Sequence, residues 1–283
     1  MRSYKTVTIE IATTHELSSL VETYQEVAAG KMQKIRHETM MSRAFFEGLA
    51  QLSEAVGADM VQGTMGRTPK TAVVWVAANA GLFGDIIEKT LVAFLHYIRQ
   101  KPVDVFVLGA AGAQLLSTLA PDVRCTAIPF ADDEVTVESM TRLTNYLSGY
   151  ETTVIFFGKF QSVAIQNADK RVISAALHED GLNVIDQKER LHREFTYIYE
   201  PTPRIVSRCV ADEIFGAVVE QTIRESQLAK YASRLMHLDE AMDHVDDRLK
   251  TLSTEKRKIK KIREDRKQRI MLAGMKTQGR YQT

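Results

Sequence analysis

The stretch LAKYASRLMHLDEAMDHVDDRLKTL, residues 228–252, decides the fold. Its large apolar residues recur at alternating intervals of three and four, and the pattern holds over four heptads. Such spacing lines the residues up on one side of an α-helix and is typical of a coiled-coil seam. The seam positions are Leu228, Tyr231, Leu235, Leu238, Met242, Val245, Leu249 and Leu252. A long helix that packs lengthwise against a second helix is therefore predicted.

The helix signal extends on both sides of this stretch, because no proline follows Pro203. We predict one C-terminal helix over residues 204–275, followed by a tail at 276–283. Beyond Leu252 the seam becomes basic, and residues 256–267 contain eight Lys or Arg against two acids. A run of this kind is either a solvated helix face or a surface for an acidic protein, an anionic lipid or nucleic acid.

The N-terminal end carries a matching signal, and no proline interrupts residues 1–62. Three- and four-residue spacing relates the apolar residues Leu17, Leu20, Val21, Tyr24, Val27, Ala28, Phe45, Leu49, Leu52 and Val56. The apolar pattern covers about 45 residues, from about Thr14 to Met60. At ~1.5 Å per residue these give a helix of about 70 Å, a length that is rare in compact domains. We therefore predict that the two terminal helices pair as a long antiparallel coiled coil.

The middle of the chain, residues 71–203, alternates short apolar runs with amphipathic stretches. The predicted strands are TAVVWVAA (71–78), VDVFVL (103–108), RCTAIPF (124–130) and TTVIFF (152–157), with helices over 83–100, 112–119 and 135–147. A further pair, Ser162–Ile173 and Arg193–Tyr199, is expected to form edge strands or a hairpin. This alternation predicts a small Rossmann-like α/β domain with a mostly parallel sheet, so the fold class is α/β.

Composition sets broad limits on function. Net charge is +1, so overall charge selects no partner, and 45% hydrophobic residues suffice for a sizeable core. The two cysteines, Cys125 and Cys209, stand far apart, which is typical of a reducing compartment. We expect a cytoplasmic protein, because no signal peptide is seen and no apolar run approaches the ~18 residues of a membrane span.

The sequence motifs that could indicate a catalytic, phosphate-binding or metal site are weak. The turn Gly81-Leu82-Phe83-Gly84 after a strand could cradle phosphate, but it lacks a third glycine and a lysine, so we interpret Gly81 and Gly84 as a structural turn. The acids at 132–134 follow a strand and are interpreted as helix-start charges. The seven histidines form no cluster in the sequence. We therefore predict no catalytic residue, no cofactor and no metal site.

Four segments, in order along the chain, resemble the gamma subunit of F-type ATP synthases. Val27–Met32 (VAAGKM) resembles the Val-Ala-Ala-x-Lys-Met type sequence that ends the family's N-terminal helix. Ala78–Gly84 (ANAGLFG) occupies the place of the family's Ser-Asp-x-Gly-Leu-Cys-Gly turn. Tyr197–Thr202 (YIYEPT) resembles the sequence that precedes the C-terminal helix. That helix keeps part of a family pattern at Ser226, Arg234, Leu235, Leu238 and Ala241.

The resemblance implies a non-catalytic rotor shaft. In this family the paired helices enter a ring of alternating alpha and beta subunits, and the α/β domain lies near the epsilon subunit and the membrane rotor ring. Rotation couples proton or sodium flow to nucleotide exchange, and the subunit is peripheral to the membrane on its cytoplasmic side. The implied ring contacts are Lys31, Met32, Lys256, Lys258, Lys260, Lys261, Arg263, Arg266 and Lys267.

The sequence also departs from the family pattern. The turn carries Asn79, Phe83 and Asp85 in place of Asp, Cys and Gly. Near the C-terminus, Lys260, Lys261, Asp265 and Lys267 replace polar residues that contact the catalytic subunits in the family. These departures suggest a diverged paralogue.

Two alternatives of other classes stay open at this point. One is a nucleotide-binding α/β protein with helical arms, which micromolar binding of ATP or NAD would support. The other is a coiled-coil adaptor whose basic C-terminal helix binds nucleic acid, which salt-dependent DNA retention would support.

Overall fold

The structure is a computed structural model that describes residues 2–56, 68–174, 200 and 202–278. The chain forms two compact units. Unit 1 consists of residues 1–27 with 237–283, and unit 2 consists of residues 28–236. Two long helices contribute to both units, namely α1 (Tyr4–Val56) and α5 (Pro203–Gln278).

Each long helix extends to the limit of a described range. Helix α5 begins at Pro203, where a proline is tolerated because first-turn N–H groups have no partner within the helix. It continues to Gln278, three residues beyond the expected end. Helix α1 is continuous over 53 residues, and residues 57–62 of the predicted helix lie outside the described residues.

Unit 2 contains a five-stranded sheet in the order β3-β2-β1-β4-β5. The strands are β1 (Thr68–Val76), β2 (Asp104–Leu108), β3 (Cys125–Ile128), β4 (Tyr150–Phe160) and β5 (Gln166–Ser174). All neighbouring pairs are parallel except β4 and β5, which are antiparallel. The predicted mixed α/β fold with a mainly parallel sheet is confirmed. The second expected edge segment, Arg193–Tyr199, lies outside the described residues.

Helices cover both faces of this sheet, and strand residues alternate between two cores. The shorter helices are α2 (Ile86–Ile98), α3 (Ala110–Leu119) and α4 (Val137–Leu147). Val73 and Trp75 pack against α2 and α3, where the Trp75 and Phe94 rings stack at 5.6 Å. Val74 and Val76 face the other way, toward α4 and the first third of α5. The start of α5 is therefore a core helix of unit 2.

Helix α3 approaches β1 closely enough to require a glycine. The Gly112 N–H donates to the Ala78 carbonyl at 3.0 Å. A Cβ at Gly112 would lie 2.1 Å from the Ala77 Cβ, which a methyl group cannot avoid by rotation. The contact fixes the loop after β1, and that loop carries much of the site described below.

Candidate functional site

Unit 1 is an antiparallel pair of helix segments, one from each end of the chain. Arg248 of α5 forms an ion pair with Glu10 of α1. Further along α1, the Ser18 hydroxyl lies 3.5 Å from the Met242 sulfur, so residue numbers rise on one helix as they fall on the other. Together with the confirmed fold, this pairing gives the predicted antiparallel arrangement of the terminal helices.

The side of α1 that faces α5 contains Val21 and Ala28 of the predicted apolar set, but not the other four members between residues 17 and 27. Buried and half-buried residues recur at intervals of four and three, and they are Val7, Ile11, Thr14, Ser18, Val21, Gln25, Ala28, Met32 and Ile35. The prediction that Leu17, Leu20, Tyr24 and Val27 pack against the partner helix is wrong, because these side chains are exposed. Phe45 is also exposed, and the side chains of Leu52 and Val56 lie outside those described.

The eight seam positions of α5 are all at least half-buried. Leu228, Tyr231, Val245 and Leu252 are buried, and Leu235, Leu238, Met242 and Leu249 are half-buried. The Leu252 side chain is fully enclosed. Large apolar residues of α5 therefore lie against smaller and more polar residues of α1 in the paired segments.

Helix α5 continues past the beginning of α1. The Lys256 Nζ lies 5.6 Å from the ring centre of Tyr4, the first residue of α1. The helix then runs for about 22 residues more, or about 33 Å. Within it, residues 260–272 are all exposed. We call residues 256–272 the basic tip.

Most of the expected basic contact residues lie together on this tip. Lys258, Lys260, Lys261, Arg263, Arg266 and Lys267 are exposed, and Lys256 is half-buried beside Tyr4. Lys260 approaches Glu264 at 3.9 Å, but both side chains are well over half exposed, so this pair holds the lysine only weakly. The tip thus offers a dense positive surface to the solvent.

Lys31 and Met32 belong to unit 2, apart from the basic tip in sequence. The Lys31 ammonium donates to Asp133, which raises the pKa of Lys31 and lowers that of Asp133. Met32 is half-buried against a small core that includes Ala28, Phe83 and Tyr231. Both side chains are therefore engaged within the chain.

The glycine turn is held by an arginine of α5. Arg234 donates from Nε to the Leu82 carbonyl at 3.0 Å and from Nη2 to the Gly81 carbonyl at 2.9 Å. Its guanidinium also lies 3.9 Å from the centre of the Phe83 ring. Leu82 and Gly84 both have φ of 65°, which is costly only for the leucine. A leucine held in this conformation is exposed at the tip of the turn.

A buried lysine joins α5 to the same edge of the sheet. The Lys230 Nζ donates to the Ala77 carbonyl and to Asp132 Oδ1, both at 2.9 Å, and only 4% of its side chain is exposed. The other oxygen of Asp132 accepts the N–H groups of Asn79 at 2.7 Å and Ala80 at 3.2 Å. Burial lowers the pKa of Lys230, and the Asp132 carboxylate opposes that shift.

Sequence reasoning missed this cluster. Asp132 and Asp133 are not helix-start charges, because α4 begins at Val137 and Thr136 caps it. Instead they bind Lys230 and Lys31, roughly a hundred residues away in sequence. The available signal was Lys230 itself, which lies among Leu228, Ala229, Tyr231 and Ala232 next to a predicted seam position. A buried ammonium needs an acidic partner, and the sequence alone does not say which acid supplies it.

Neither a metal centre nor a membrane span is found in the parts of the chain that the structure describes. No group of three His, Cys, Asp or Glu side chains there could hold an ion. Among the same residues, no helix combines the length and apolar character needed to cross a bilayer.

The chain thus combines paired terminal helices, an α/β unit and an exposed basic helix end. A family model described as ATP synthase matches residues 3–263. The chain therefore belongs to the ATP synthase family.

Relatives and solved structures specify the kind of subunit. The chain is 20% identical to an ATP synthase gamma chain of Dehalococcoides mccartyi, over 87% of this chain and 89% of that one. It is 22% identical to the ATP synthase gamma chain of Chloroherpeton thalassium, over 89% of this chain and 90% of that one. It is thus a diverged, non-catalytic, gamma-type subunit of the ATP synthase family.

The fold is similar to that of solved central stalks. The central stalk and c-ring structure of the Tetrahymena thermophila mitochondrial ATP synthase has a TM-score of 0.55 at 16% identity, covering 78% of this chain and 99% of that one. An F1 and c-ring structure from Euglena gracilis mitochondria has a TM-score of 0.54 at 11% identity, covering 92% and 94%. These neighbours are parts of rotor and stalk assemblies.

Proposed function

We propose that this subunit is a rotating shaft that couples ion flow through a membrane rotor ring to conformational cycling of catalytic subunits. The paired segments of unit 1 enter a ring of alternating alpha and beta subunits. Unit 2 contacts the epsilon subunit and the membrane rotor ring. The subunit is peripheral to the membrane, on its cytoplasmic side.

The observation that carries this proposal is the pairing in unit 1. Glu10 with Arg248, and Ser18 with Met242, hold the two chain ends side by side. A paired helix resists bending and twisting better than one helix, because side chains interlock along its length. Such a segment suits a part that transmits rotation.

The basic tip is the proposed contact with the catalytic ring. Its seven expected contact residues are Lys256, Lys258, Lys260, Lys261, Arg263, Arg266 and Lys267. Attraction between this surface and acidic residues of the ring is weakly directional, which suits a shaft that meets several equivalent partners in turn. Each exposed pair contributes only roughly 0.2–1 kcal/mol, so no single contact carries the torque.

Lys31 and Met32 are proposed as a second contact with the catalytic ring, because the family resemblance implies it. Lys31 would have to exchange Asp133 for an acid of the ring, because the two form an ion pair in this chain. Met32 is half-buried and has part of its surface available. The proposal therefore assigns these two residues a weaker role than the basic tip.

The buried ion pair argues against the nucleotide-binding alternative. In open α/β sheets, ligands bind beyond the carboxyl ends of the parallel strands, where the strand order reverses. Here Lys230 occupies the carboxyl edge, bonded to Ala77 after β1 and to Asp132 after β3. Its ammonium is already paired with the Asp132 carboxylate and is enclosed, so it is poorly placed to bind a phosphate.

Truncation of the basic tip tests the proposal. A chain that ends at Lys256 keeps all of α1 and the paired part of α5, so it should fold. In a complex reassembled with the catalytic subunits that co-purify with the full chain, we expect ATP-driven rotation to fall by about tenfold or more, because several exposed pairs are lost together. Single-molecule rotation and coupled ion pumping measure this.

The matched control is a chain that ends at Gln278, which keeps the whole basic tip and should rotate normally. Circular dichroism on both truncated chains checks that they are folded. Full rotation by the chain ending at Lys256 would exclude the tip as a ring contact. Failure of the full-length chain to assemble with any catalytic ring would exclude the shaft function.

A further inference from the structure

Two consecutive carboxylates of one loop bind both long helices within unit 2. The loop follows β3, and its Asp132 pairs with Lys230 of α5 at 2.9 Å. Its Asp133 pairs with Lys31 of α1. All four residues belong to unit 2, and we call them the anchor cluster. Through it, one short loop of the sheet contacts each helix by a charged group.

Helix α5 is also bonded to the loop after β1. Lys230 donates to the Ala77 carbonyl at 2.9 Å, and Arg234 donates to the carbonyls of Gly81 and Leu82 at 2.9 and 3.0 Å. The two cations are four residues apart, so they lie on the same side of the helix. One side of α5 is therefore bonded to the carboxyl edge of the sheet through the loops after both β1 and β3.

Polar contacts elsewhere in unit 2 involve the same two helices. Arg171 of β5 donates to Thr222 of α5 at 2.7 Å, which joins α5 to the edge strand. Arg224 of α5 pairs with Glu38 of α1. Helix α5 thus has several bonds to the sheet, while α1 is bonded to α5 and, through Lys31, to the loop after β3.

Stability alone does not account for the anchor cluster. The Lys230–Asp132 pair is enclosed, and the desolvation of two charges offsets much of their attraction, so an apolar pair is often as stabilising. The Lys31 and Asp133 side chains are 39% and 45% exposed, and pairs exposed to this degree stabilise little. These bonds add direction, because a hydrogen bond weakens steeply when its atoms move out of line, whereas apolar contact is non-directional.

We infer that the anchor cluster is the joint through which torque passes between the α/β sheet and both long helices. The parts of α1 and α5 in unit 2 then turn together with the sheet. This inference rests on the proposed function, and it goes beyond that function by naming the residues that transmit torque inside the subunit. The four residues act by positioning the helices against the sheet.

The first test measures torsional stiffness in an assembled complex. The chain is reassembled with the catalytic subunits that co-purify with it, and those subunits are fixed to glass. A bead is attached at Leu119→Cys, an exposed position of α3, in a reference chain that also carries Cys125→Ala and Cys209→Ala. Without nucleotide, the variance of the bead's angle is inversely proportional to the stiffness between the bead and the ring.

Asp133→Ala releases Lys31, and Asp169→Ala is the matched control. The Lys159–Asp169 pair has similar exposure, 46% and 39%, but it joins the neighbouring strands β4 and β5. Both variants change the net charge equally, and thermal unfolding of the two free chains should shift alike. We expect the variance to rise about 1.5-fold or more for Asp133→Ala, because α1 loses a directional bond to the loop. The control should stay within about 1.2-fold of the reference chain.

Reversal of the exposed pair separates torque transfer from the ring contact proposed for Lys31. Lys31→Glu with Asp133→Lys restores an ion pair between α1 and the loop, and glutamate suits a helix about as well as lysine. We expect Lys31→Glu alone to raise the variance and the reversed pair to return it close to the reference value. The reversed pair offers the ring a negative charge at position 31, so a variance that stays high would show that Lys31 acts through the ring and would overturn the inference.

The second test removes the buried pair without leaving one charge alone. Lys230→Met with Asp132→Asn removes both charges, and asparagine can still accept the N–H groups of the loop after β1. The chain should fold, because an uncharged pair is tolerated where a lone buried charge is not. Denaturant unfolding followed by Trp75 fluorescence checks this. We expect the variance to rise in the folded double variant, and a variance equal to the reference value would show that packing alone transmits the torque.

The remaining outcomes distinguish this inference from the proposed function. If the reference chain rotates with ATP and all anchor-cluster variants keep its variance, the shaft function stands and the inference fails. If Asp169→Ala raises the variance as much as Asp133→Ala, the effect is not specific to the joint between helix and sheet, and the inference fails again. If the reference chain and wild type assemble with no catalytic ring, both fail.

Discussion

Lys230 illustrates what one residue can do at a junction between helix and sheet. Its ammonium is enclosed, yet it makes two hydrogen bonds of 2.9 Å, to Ala77 and to Asp132. Asp132 is also bonded to two backbone N–H groups of the loop after β1. The two members of the pair are therefore supported unequally. Without its partner the carboxylate would keep two N–H donors, whereas the ammonium would keep one carbonyl and the face of the Phe83 ring at 5.5 Å.

This inequality predicts unequal effects of mutation. Asp132→Ala leaves a buried ammonium without its counter-charge, and we expect a loss of about 3–5 kcal/mol in the free energy of unfolding of unit 2. Lys230→Met replaces the cation with an apolar chain of similar length, and we expect a smaller loss because Asp132 retains its N–H donors. Denaturant unfolding followed by the single tryptophan, Trp75, reports on unit 2 directly.

Asp122→Ala is the matched control, since Asp122 is an exposed acid of the same unit, and its effect should stay within about 0.5 kcal/mol. A loss for Lys230→Met equal to or larger than that for Asp132→Ala would contradict the unequal support described here.

At the scale of elements, the sequence predicted the sheet well and the α1 seam poorly. Strands such as β1 and β4 are short, β-branched and aromatic runs, which have few alternatives to burial. On α1, two stripes one residue apart both follow three- and four-residue spacing. The larger residues, Leu17 and Tyr24, favoured the wrong stripe, because periodicity measures hydrophobicity and cannot tell which partner covers a face.

The candidate site was predictable only where it depends on composition. The basic tip is visible in the sequence as a run of lysines and arginines, and the structure exposes it. The Lys230–Asp132 and Lys31–Asp133 pairs depend on contacts that the chain makes only after folding. Arg234 also could not be assigned a partner from the sequence. Its partners are the backbone carbonyls of Gly81 and Leu82, and backbone acceptors leave no pattern of side chains to recognise.

The ion pair between Lys31 of α1 and Asp133, after β3, predicts a specific pH dependence. Because Lys31 lowers the pKa of Asp133, the pair contributes stability above the unfolded carboxyl pKa of about 4, and this is lost as pH falls through the lower, folded value. The raised pKa of Lys31 extends the contribution upward, until pH rises through the folded lysine value, above about 10.5.

We therefore expect Lys31→Met to destabilise unit 2 at pH 7 and to destabilise it less as pH falls toward 2. Unfolding curves of wild type and variant between these values, followed by Trp75 fluorescence, give the difference at each pH. Lys5→Met, at an exposed position of the same helix, should give a small difference that does not vary with pH. A difference for Lys31→Met that persists undiminished at pH 2 would show that packing, and not charge, holds Lys31.

At the scale of the whole molecule, unit 1, unit 2 and the basic tip differ in how their backbone is protected. The sheet of unit 2 has cores on both faces, whereas unit 1 depends on one helix pair. Residues 260–272 of the tip are all exposed, and the tip repeats like charges at helical spacing, as in Arg257 with Lys261. Isolated helices of this length are marginal in water without a packed face.

This difference predicts a gradient in amide hydrogen exchange on the free chain. We expect the amides of 260–272 to exchange fastest, those of paired α1 to be intermediate, and those of β1, β2 and β4 to be slowest, because exchange follows the free energy of local opening. Raising the salt concentration should slow exchange in the tip by screening its repulsion, and should change the buried strands little. Exchange measured by mass spectrometry, with wild type at low and high salt, resolves these segments.

Binding to the catalytic ring should then protect the tip and the segment 17–27 together. Tip amides that exchange as slowly in the free chain as those of β1 would mean that another surface already covers the tip, and the basic end could not be the free contact proposed here.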